Sequence, residues 1–366
     1  DGISGSNLYL DQFTMVSDGI NASPVFSYRG APGLTWEKSA NFNAGIELGL
    51  FDRIRLDADF FVKKTTDMIY QKPLPPSGGS PTWIWENQID MKNTGIEFDL
   101  GIDLIKSKKI KWDIAFNGTV YKNELTRLPA DKTDPKGYKA GSYWRKLGGS
   151  LYDWHLYEYA GVEETTGKAM WYKDVKKTVD GVEVTEKVKT TNYAEATYYE
   201  AGKSALPDFY GGISTNLSAY GFDLSAQTAF SIGGYNYDQV YANLMDAGEP
   251  GTNWSTDIFK RWTPTNTVTD VPRVSSGDQN VNAASTRFLT SSSYFSLRNL
   301  TLGYTFPKKL TSKYKIESLR IYAVGDNLLL ISARKGLDPR QTFSGTTYAG
   351  TYSALRTTSV GLSVSF

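Results

Sequence analysis

The chain has 366 residues, a formal net charge of +1 and no cysteine. The absence of cysteine rules out disulfides and thiolate metal sites, and the balanced charge gives no reason to expect a nucleic-acid partner. His155 is the single histidine, which argues against a His-based triad or a multi-histidine metal site. No apolar run approaches the roughly 20 residues of a membrane-spanning helix.

Aromatic residues make up 14% of the chain, with 24 Tyr and 9 Trp. Such rings suit surfaces with a dry side and a wet side, for example membrane interfaces. The first strongly patterned stretch, NAGIELGLFDRIRLDADFFVKK (43–64), alternates apolar and polar residues on both sides of Phe51-Asp52-Arg53. Because side chains on a strand point to opposite faces with period two, this stretch predicts a hairpin with one apolar and one charged face.

The same alternation recurs in 96–105, 110–121, 209–219, 222–232, 300–306 and 359–366. We count about ten such strands, each near or above the 9–11 residues that cross a membrane as a tilted strand. Short turns are predicted at 51–53, 107–109 and 220–221, and long loops at about 18–36, 70–90, 126–205, 239–286 and 333–349. Short turns on one side and long extracellular loops on the other are typical of an outer-membrane barrel.

The polar rows indicate which face of the strands is wet. They contain the carboxylates Glu47, Asp57, Asp59, Glu97, Asp99 and Asp103. These suit an aqueous lumen, so the apolar rows face lipid. A soluble β-sandwich also alternates, but the charged rows, the strand lengths and a terminal strand ending in Phe366 favour the barrel. We predict an all-β chain, an antiparallel transmembrane β-barrel in the outer membrane, because an unclosed sheet edge cannot be satisfied in lipid.

The ordered set of motifs resembles one family. The matching pieces are LTWEK (34–38), the hairpin at 43–69, NTGIEFDLGIDLI (93–105), YAGVEETTGKAMWY (159–172), LPDFYGGISTNLSAYGFDLS (206–225), FKRWTP (259–264), YFSLRNLTLGYTFP (294–307), LRIYAVGDNLLLIS (319–332) and VGLSVSF (360–366). Together they resemble the C-terminal half of SusC/RagA-like TonB-dependent transporters of Bacteroidetes, and they cover nearly the whole chain in order.

The resemblance implies a plugged barrel of about 22 strands, of which this chain is the C-terminal portion. It implies a SusD-like lipoprotein as an extracellular lid, energy from TonB, and dimers of transporter–lid pairs. The stretch 6–17 reads as a strand already under way, so we expect the plug and the first strands to lie outside this chain. The remaining barrel and plug segment, and outer-membrane lipid, are then obligatory partners. The resemblance implies either oligosaccharides or oligopeptides as the substrate, since both are typical of the family.

Aromatic residues cluster in the predicted loops. Tyr143, Trp144, Tyr152, Trp154 and Tyr157 fall in the loop 126–205, Trp83 and Trp85 in the loop 70–90, and Trp254 in the loop 239–286. They can supply stacking surfaces for sugars or peptide side chains. The alternative, which we favour, is packing within the loops or against a lid. Asp246, Glu249 and Asp257 beside Trp254 invite sugar binding, although a solvated loop is the simpler interpretation.

We predict no catalytic residue, cofactor or metal. Paired carboxylates can hydrolyse glycosides, but the lumen carboxylates are more simply paired with Arg53, Arg55 and basic groups of a plug. Phe366 is predicted to anchor the closing strand at the inner membrane interface. The leading hypothesis is therefore an active importer of the outer membrane. The alternative, from another class, is a non-transporting surface protein such as an adhesin or glycan-binding module.

Overall fold

The computed structural model describes residues 8–75, 77, 83–132, 137–248, 251–278 and 280–366. The strands, in chain order, are β1 (Gln12–Ser17), β2 (Ala22–Tyr28), β3 (Lys38–Leu50), β4 (Ile54–Pro73), β5 (Trp83–Lys106), β6 (Ile110–Arg127), β7 (Tyr138–Ala140), β8 (Tyr143–Arg145), β9 (Asp153–Tyr157), β10 (Tyr159–Val162), β11 (Ala169–Val179), β12 (Val182–Thr190), β13 (Tyr198–Ser204), β14 (Phe209–Ala219), β15 (Phe222–Ile232), β16 (Tyr235–Tyr237), β17 (Leu289–Ser291), β18 (Tyr294–Thr305), β19 (Ser318–Ser332) and β20 (Thr357–Ser365). There are two short helices, α1 (Gln239–Asn243) and α2 (Lys308–Thr311). The described residues also contain 3₁₀ turns at Ala130–Lys132, Tyr193–Glu195, Thr256–Lys260, Thr286–Phe288, Ser312–Tyr314 and Pro339–Gln341.

One large antiparallel sheet organises the molecule. Its nine strands lie in the order β20-β19-β18-β15-β14-β6-β5-β4-β3, so each strand pairs with its neighbour along the chain within the sheet. The all-β, antiparallel prediction is confirmed. The nine strands of the large sheet agree with the predicted count of about ten, and β1 pairs with β2 in a separate hairpin.

The short turns fall where the sequence predicted them. β3 ends at Leu50 and β4 begins at Ile54, and the hairpin register places Leu48 opposite Leu56. Tyr220 and Gly221 both have positive φ, 52° and 92°, which is the backbone of a two-residue turn whose twist matches that of paired strands. These turns fix the register of every hairpin, and so they fix which residues share a face.

The opposite end of the sheet differs from the prediction at one loop. The loop predicted at 70–90 is largely strand, because β4 continues to Pro73 and β5 starts at Trp83. A register shift around Met68 absorbs an irregularity and lets the ladder continue. Pro73 did not have to end the strand earlier, since it lies at the last ladder position.

The other long loops are present but folded. The loop 18–36 contains β2, and the connection after β19 extends from 333 to 356, beyond the predicted 349. The loop 126–205 contains β7 to β13, which form a three-stranded and a four-stranded sheet. We call the described residues of 128–208, 233–293 and 333–356 the loop layer. Two buried apolar clusters lie here, and a third, formed by Ile89, Leu125 and Leu128, lies at the long-loop end of β5 and β6.

The two faces of the large sheet differ in chemistry. One face is an apolar wall whose side chains remain uncovered, including Ile46, Leu302 and Val360, the last of them 82% exposed. A soluble protein rarely leaves so extended an apolar surface in water. The other face is polar and borders a concave space of about 650 Å³. No helix in the described part of the chain is long and apolar enough to span a membrane.

Candidate functional site

The polar face, which we call the inner wall, carries a row of facing carboxylates. The registers place Glu47 opposite Asp57, and Asp57 opposite Asp99. Two residues further along β4, Asp59 lies opposite Glu97. Like charges directly opposite one another destabilise a sheet. The wall therefore carries a concentrated negative charge that a basic or hydrogen-bond-donating surface would offset.

The expected pairing of these carboxylates with nearby arginines is only partly observed. Arg55 lies 3.5 Å from Asp103, and Lys106 lies 3.6 Å from the same carboxylate. Among the described residues, no ion pair involves Asp57, Asp59, Glu97 or Asp99. Arg298 is the basic side chain that borders the same concave space.

The inner wall gives no sign of a metal centre. Within the ranges that the structure describes, no group of three or more acidic, histidine or cysteine side chains is placed to hold a metal ion.

The loop layer folds back over the polar side of the sheet. Asn123, on the inner-wall face of β6, accepts hydrogen bonds from the backbone N–H of Leu151 at 2.9 Å and the hydroxyl of Ser150 at 3.2 Å. The same Asn123 donates to Asn93 on β5 at 2.7 Å. These contacts attach the loop 126–205 to the mouth of the inner wall.

A buried ion pair joins two parts of the loop layer. The Asp238 carboxylate accepts from Arg334 Nε at 3.1 Å and from the Thr347 hydroxyl at 3.1 Å. The same side chain caps α1 by accepting from the backbone N–H of Tyr241 at 3.0 Å. Its side chain is only 1% exposed, so the charge is stabilised by these partners and not by water.

We expect Asp238→Asn to loosen this junction by about 1.5–3 kcal/mol, because the charge-assisted hydrogen bonds to Arg334 are weakened while the helix cap is retained. The measurement is hydrogen exchange of segments 235–247 and 334–347 in the full-length protein. Glu186→Gln, which breaks an exposed pair with Lys177, is the control and should cost about 0–1 kcal/mol. Equal effects of the two substitutions would contradict a structural role for the buried pair.

The predicted aromatic residues of the loop 126–205 fall into different environments. Trp154 is 1% exposed, and its indole N–H donates to the carbonyl of Tyr235 at 2.8 Å. Tyr143 and Tyr152 pack against the same core, and the Tyr143 hydroxyl donates to the Ser344 carbonyl. The ring of Trp154 is enclosed by the loop layer, so it is not accessible to a ligand or a lid. Of the two predicted roles, packing within the loops applies to Trp154.

Trp144 and Tyr157 flank the single histidine. The His155 ring lies 4.5 Å from that of Trp144 and 5.4 Å from that of Tyr198, and Tyr157 stacks on Tyr198 at 3.8 Å. Burial lowers the pKa of His155 below its usual value, so its neutral form is favoured at pH 7. Trp144 and Tyr157 are half-buried, and ligand or lid contact through them stays a prediction.

Trp83 and Trp85 lie on a strand and not in a loop. They pair with Pro73 and Gln71 across the extended β4–β5 hairpin. The two indoles contact each other at 5.3 Å, and the Trp83 ring meets that of Tyr28 at 5.7 Å. This correction follows from the longer strands, and it places both rings on the extension of the large sheet at its long-loop end.

Trp254 has the most open position of the predicted aromatic residues. It is 43% exposed, and its indole N–H donates to Asp246 at 2.6 Å. Together with Ile258, Phe259 and Arg261, it lines a concave surface that encloses a volume of about 530 Å³. Phe259, which is 79% exposed, is not among the predicted site residues, although it begins the motif FKRWTP. Glu249 lies outside the described residues.

Phe366 and its neighbours border the short-turn end of the apolar wall. Phe366 is 86% exposed, directly after β20. At the same end, the rings of Phe222 and Tyr304 lie 4.6 Å apart, and Trp112 donates its indole N–H to Thr215 at 2.9 Å. A band of rings at the end of an apolar wall is typical of a membrane–water interface. Anchoring through Phe366 stays a prediction.

Comparison with known proteins identifies the family. Residues 4–328 match the model of the TonB dependent receptor-like β-barrel. The chain belongs to this family. It is 28% identical over 91% of its length to TonB-dependent receptor P3 of Formosa agariphila, and 26% identical over 91% to TonB-dependent receptor SusC of Bacteroides thetaiotaomicron. It spans about a third of the length of these relatives, 34% and 32% respectively.

The solved structures give the same result. The structure of the RagAB peptide transporter matches 98% of this chain, with a TM-score of 0.80 and 27% sequence identity. The match covers 39% of the chain in the RagAB structure. The nine-stranded sheet is therefore part of an outer-membrane β-barrel, as predicted, and its apolar wall faces lipid. The matched relatives are receptors and transporters and not enzymes, in agreement with the absence of a predicted catalytic site.

A close contact between a glycine and a tryptophan joins two loops. Gly167 of YAGVEETTGKAMWY has φ +73°, and a Cβ there would lie 2.5 Å from the ring of Trp262 in FKRWTP. The Trp262 indole N–H donates to the Glu164 carbonyl at 2.9 Å. Only glycine fits this close approach at positive φ. Two motifs that carried the resemblance thus meet in the loop layer.

Proposed function

We propose that the chain is the C-terminal barrel portion of an active importer that takes up oligosaccharides or oligopeptides. The supporting observation is a lipid-facing wall and a polar inner wall in one sheet, in a chain of the TonB-dependent receptor family. The chain covers about a third of its curated relatives, so TonB coupling and the plug belong to the proposal for the whole protein.

We further propose that a SusD-like surface lipoprotein delivers the substrate and that the loop layer receives it. RagAB is described as a peptide transporter, and the chain matches it closely in fold. The surface around Trp254 and Phe259 offers exposed rings on a folded layer, and exposed aromatic residues are typical of binding surfaces. Assembly of transporter–lid pairs into dimers stays a prediction.

The inner wall bears on the substrate class. Four facing carboxylates, Asp57, Asp59, Glu97 and Asp99, border the concave space with one arginine. We propose that the carboxylates that a plug leaves without a basic partner repel polyanions, more strongly at low salt than at high salt. Neutral oligosaccharides and neutral or basic peptides are therefore the proposed cargo, in preference to sulfated or uronate-rich glycans.

The test uses the full-length protein in its own bacterium. Deleting the gene should abolish growth on one glycan or peptide source, and a protonophore should stop uptake of that substrate by wild-type cells. Loss of surface binding with unchanged uptake of every substrate would instead support an adhesin.

We expect the double substitution Trp254→Ala and Phe259→Ala to reduce uptake about tenfold or more, because hot-spot aromatic residues contribute about 2 kcal/mol or more to binding. The measurement is the initial rate of substrate uptake at matched outer-membrane levels. Tyr352→Ala is the control, since Tyr352 is 90% exposed and lies outside that concave surface. Unchanged uptake by the double variant would exclude this surface as the site of lid or substrate contact.

A further inference from the structure

Three lysines lie side by side at the upper end of the lipid-facing wall. The registers place Lys64 opposite Lys92, and Lys92 opposite Glu124. Lys122 is two residues from Glu124 on β6 and therefore points to the same face. This face is the apolar one, since Lys64 continues the row of Phe60 and Val62.

The position of this row matches the edge of the membrane. Ile54, at the short-turn end of β4, is ten residues from Lys64. At about 3.3 Å per residue and a tilt of about 40°, the two are about 25 Å apart along the membrane normal. The apolar band of an outer-membrane barrel is also about 25 Å tall. The lysines therefore lie at the level of lipid head groups at the long-loop end.

The row carries an excess of positive charge. Glu124 lies 2.7 Å from Lys122 and 3.1 Å from Lys92, so one carboxylate serves two ammonium groups. Lys64 has no carboxylate within ion-pair distance among the described residues. The neighbouring Lys38 is already bound to Asp67 at 3.0 Å. Three lysines and one glutamate leave a net charge of +2 on a surface that adjoins lipid.

We propose that Lys64, Lys92 and Lys122 bind the phosphate of an anionic lipid head group at the long-loop side of the membrane. The ammonium groups can extend from the apolar wall toward the head groups while their methylene chains stay against lipid. The side chain of Lys122 is 71% exposed and that of Lys92 38% exposed, so both are accessible. Charge complementarity and continuity with the lipid-facing wall indicate a lipid and not a soluble protein.

The side of the membrane on which the lipid binds follows from the extracellular placement of the long loops. Binding of the lipid by the three lysines does not depend on that placement, so lipid binding can be tested separately from transport. The full-length transporter is placed in nanodiscs of phosphatidylcholine with a minor fraction of spin-labelled phosphatidylglycerol. The fraction of motionally restricted label measures binding, and labelled phosphatidylcholine is the neutral reference.

We expect the triple variant Lys64→Gln, Lys92→Gln, Lys122→Gln to lower selective phosphatidylglycerol binding about fivefold or more, since each lysine near a membrane surface contributes measurably. Glu124→Gln should raise binding, because it removes the competing carboxylate. The matched control is Lys176→Gln, Lys177→Gln, Lys187→Gln, which removes three lysines from the β11–β12 hairpin and should leave binding unchanged.

Three results would overturn the proposal. The triple variant could bind phosphatidylglycerol as the wild type does, or the hairpin control could lose as much binding as the triple variant. Inorganic phosphate could displace the labelled lipid at an equal concentration, which would indicate a free-anion site. Import activity is a separate measurement. If the triple variant still imports substrate, the proposed function stands, whether or not the proposal of lipid binding does.

Discussion

Ile96→Arg is expected to remove most of the protein from the outer membrane. Ile96 lies opposite Phe60 on one side and Val120 on the other, about midway between the levels of Ile54 and Lys64 on the apolar wall. An arginine that faces lipid near the midplane of a barrel costs about 2–4 kcal/mol, a large part of a typical net stability. The measurement is the outer-membrane level of the full-length variant at matched expression, with gel mobility before and after boiling.

Asn117→Arg provides the matched control, because it introduces the same charge on the neighbouring strand β6 but on the inner wall. Asn117 lies opposite Asp99, so the new guanidinium gains an acidic neighbour in an aqueous space. We expect nearly normal assembly of this variant. If Asn117→Arg blocked assembly while Ile96→Arg did not, the two faces of the sheet would be assigned the wrong way round.

The faces could be assigned from the sequence because a strand encodes them with a simple period. The hairpin at 43–64 shows this, since its alternation and its turn at 51–53 together fix the pairing of Leu48 with Leu56. The sequence is less informative where turn-forming residues occur within or directly after a strand. Prolines and glycines after Tyr70 suggested a loop, but the strands continue beyond the expected membrane thickness to Pro73 and Trp83.

The first strand was misplaced for a different reason. Gln12–Ser17 is a strand, as the sequence suggested, but alternation does not say which strand is its partner. Asp18 accepts hydrogen bonds from the backbone N–H groups of Ile20 and Asn21, at 2.9 and 2.7 Å, and closes a local turn. That turn favours pairing with Ala22–Tyr28 over the large sheet.

The loop layer was predictable in outline only. A high density of rings indicated packing or binding, but the two uses require the same residue types. Trp154 and Trp254 illustrate the difficulty, because one is fully enclosed and the other is exposed beside Phe259. What separates them is contact with distant segments, such as the Tyr235 carbonyl, and such contacts leave no periodic signal in the sequence.

Trp154→Ala is expected to unfold the loop layer while leaving the barrel sheet assembled. The ring packs 4.8 Å from that of Tyr143, and its removal leaves the Tyr235 carbonyl without its donor. Replacing a buried tryptophan by alanine costs about 3–5 kcal/mol, and an unsatisfied buried acceptor adds to this. The sheet should persist, because its strands are held by their own ladders and by lipid.

The measurement is limited proteolysis of the full-length protein in outer-membrane vesicles, read together with gel mobility before boiling. Trp154→Ala should be cut within 126–205 at low protease concentrations that leave the wild type intact, yet still migrate as a folded barrel. Trp254→Ala, which removes a ring that is 43% exposed, should resist cleavage as the wild type does. Collapse of the barrel itself in Trp154→Ala would show that the loop layer and the sheet fold as one unit. Wild-type resistance would show instead that the ring is dispensable to the layer that encloses it.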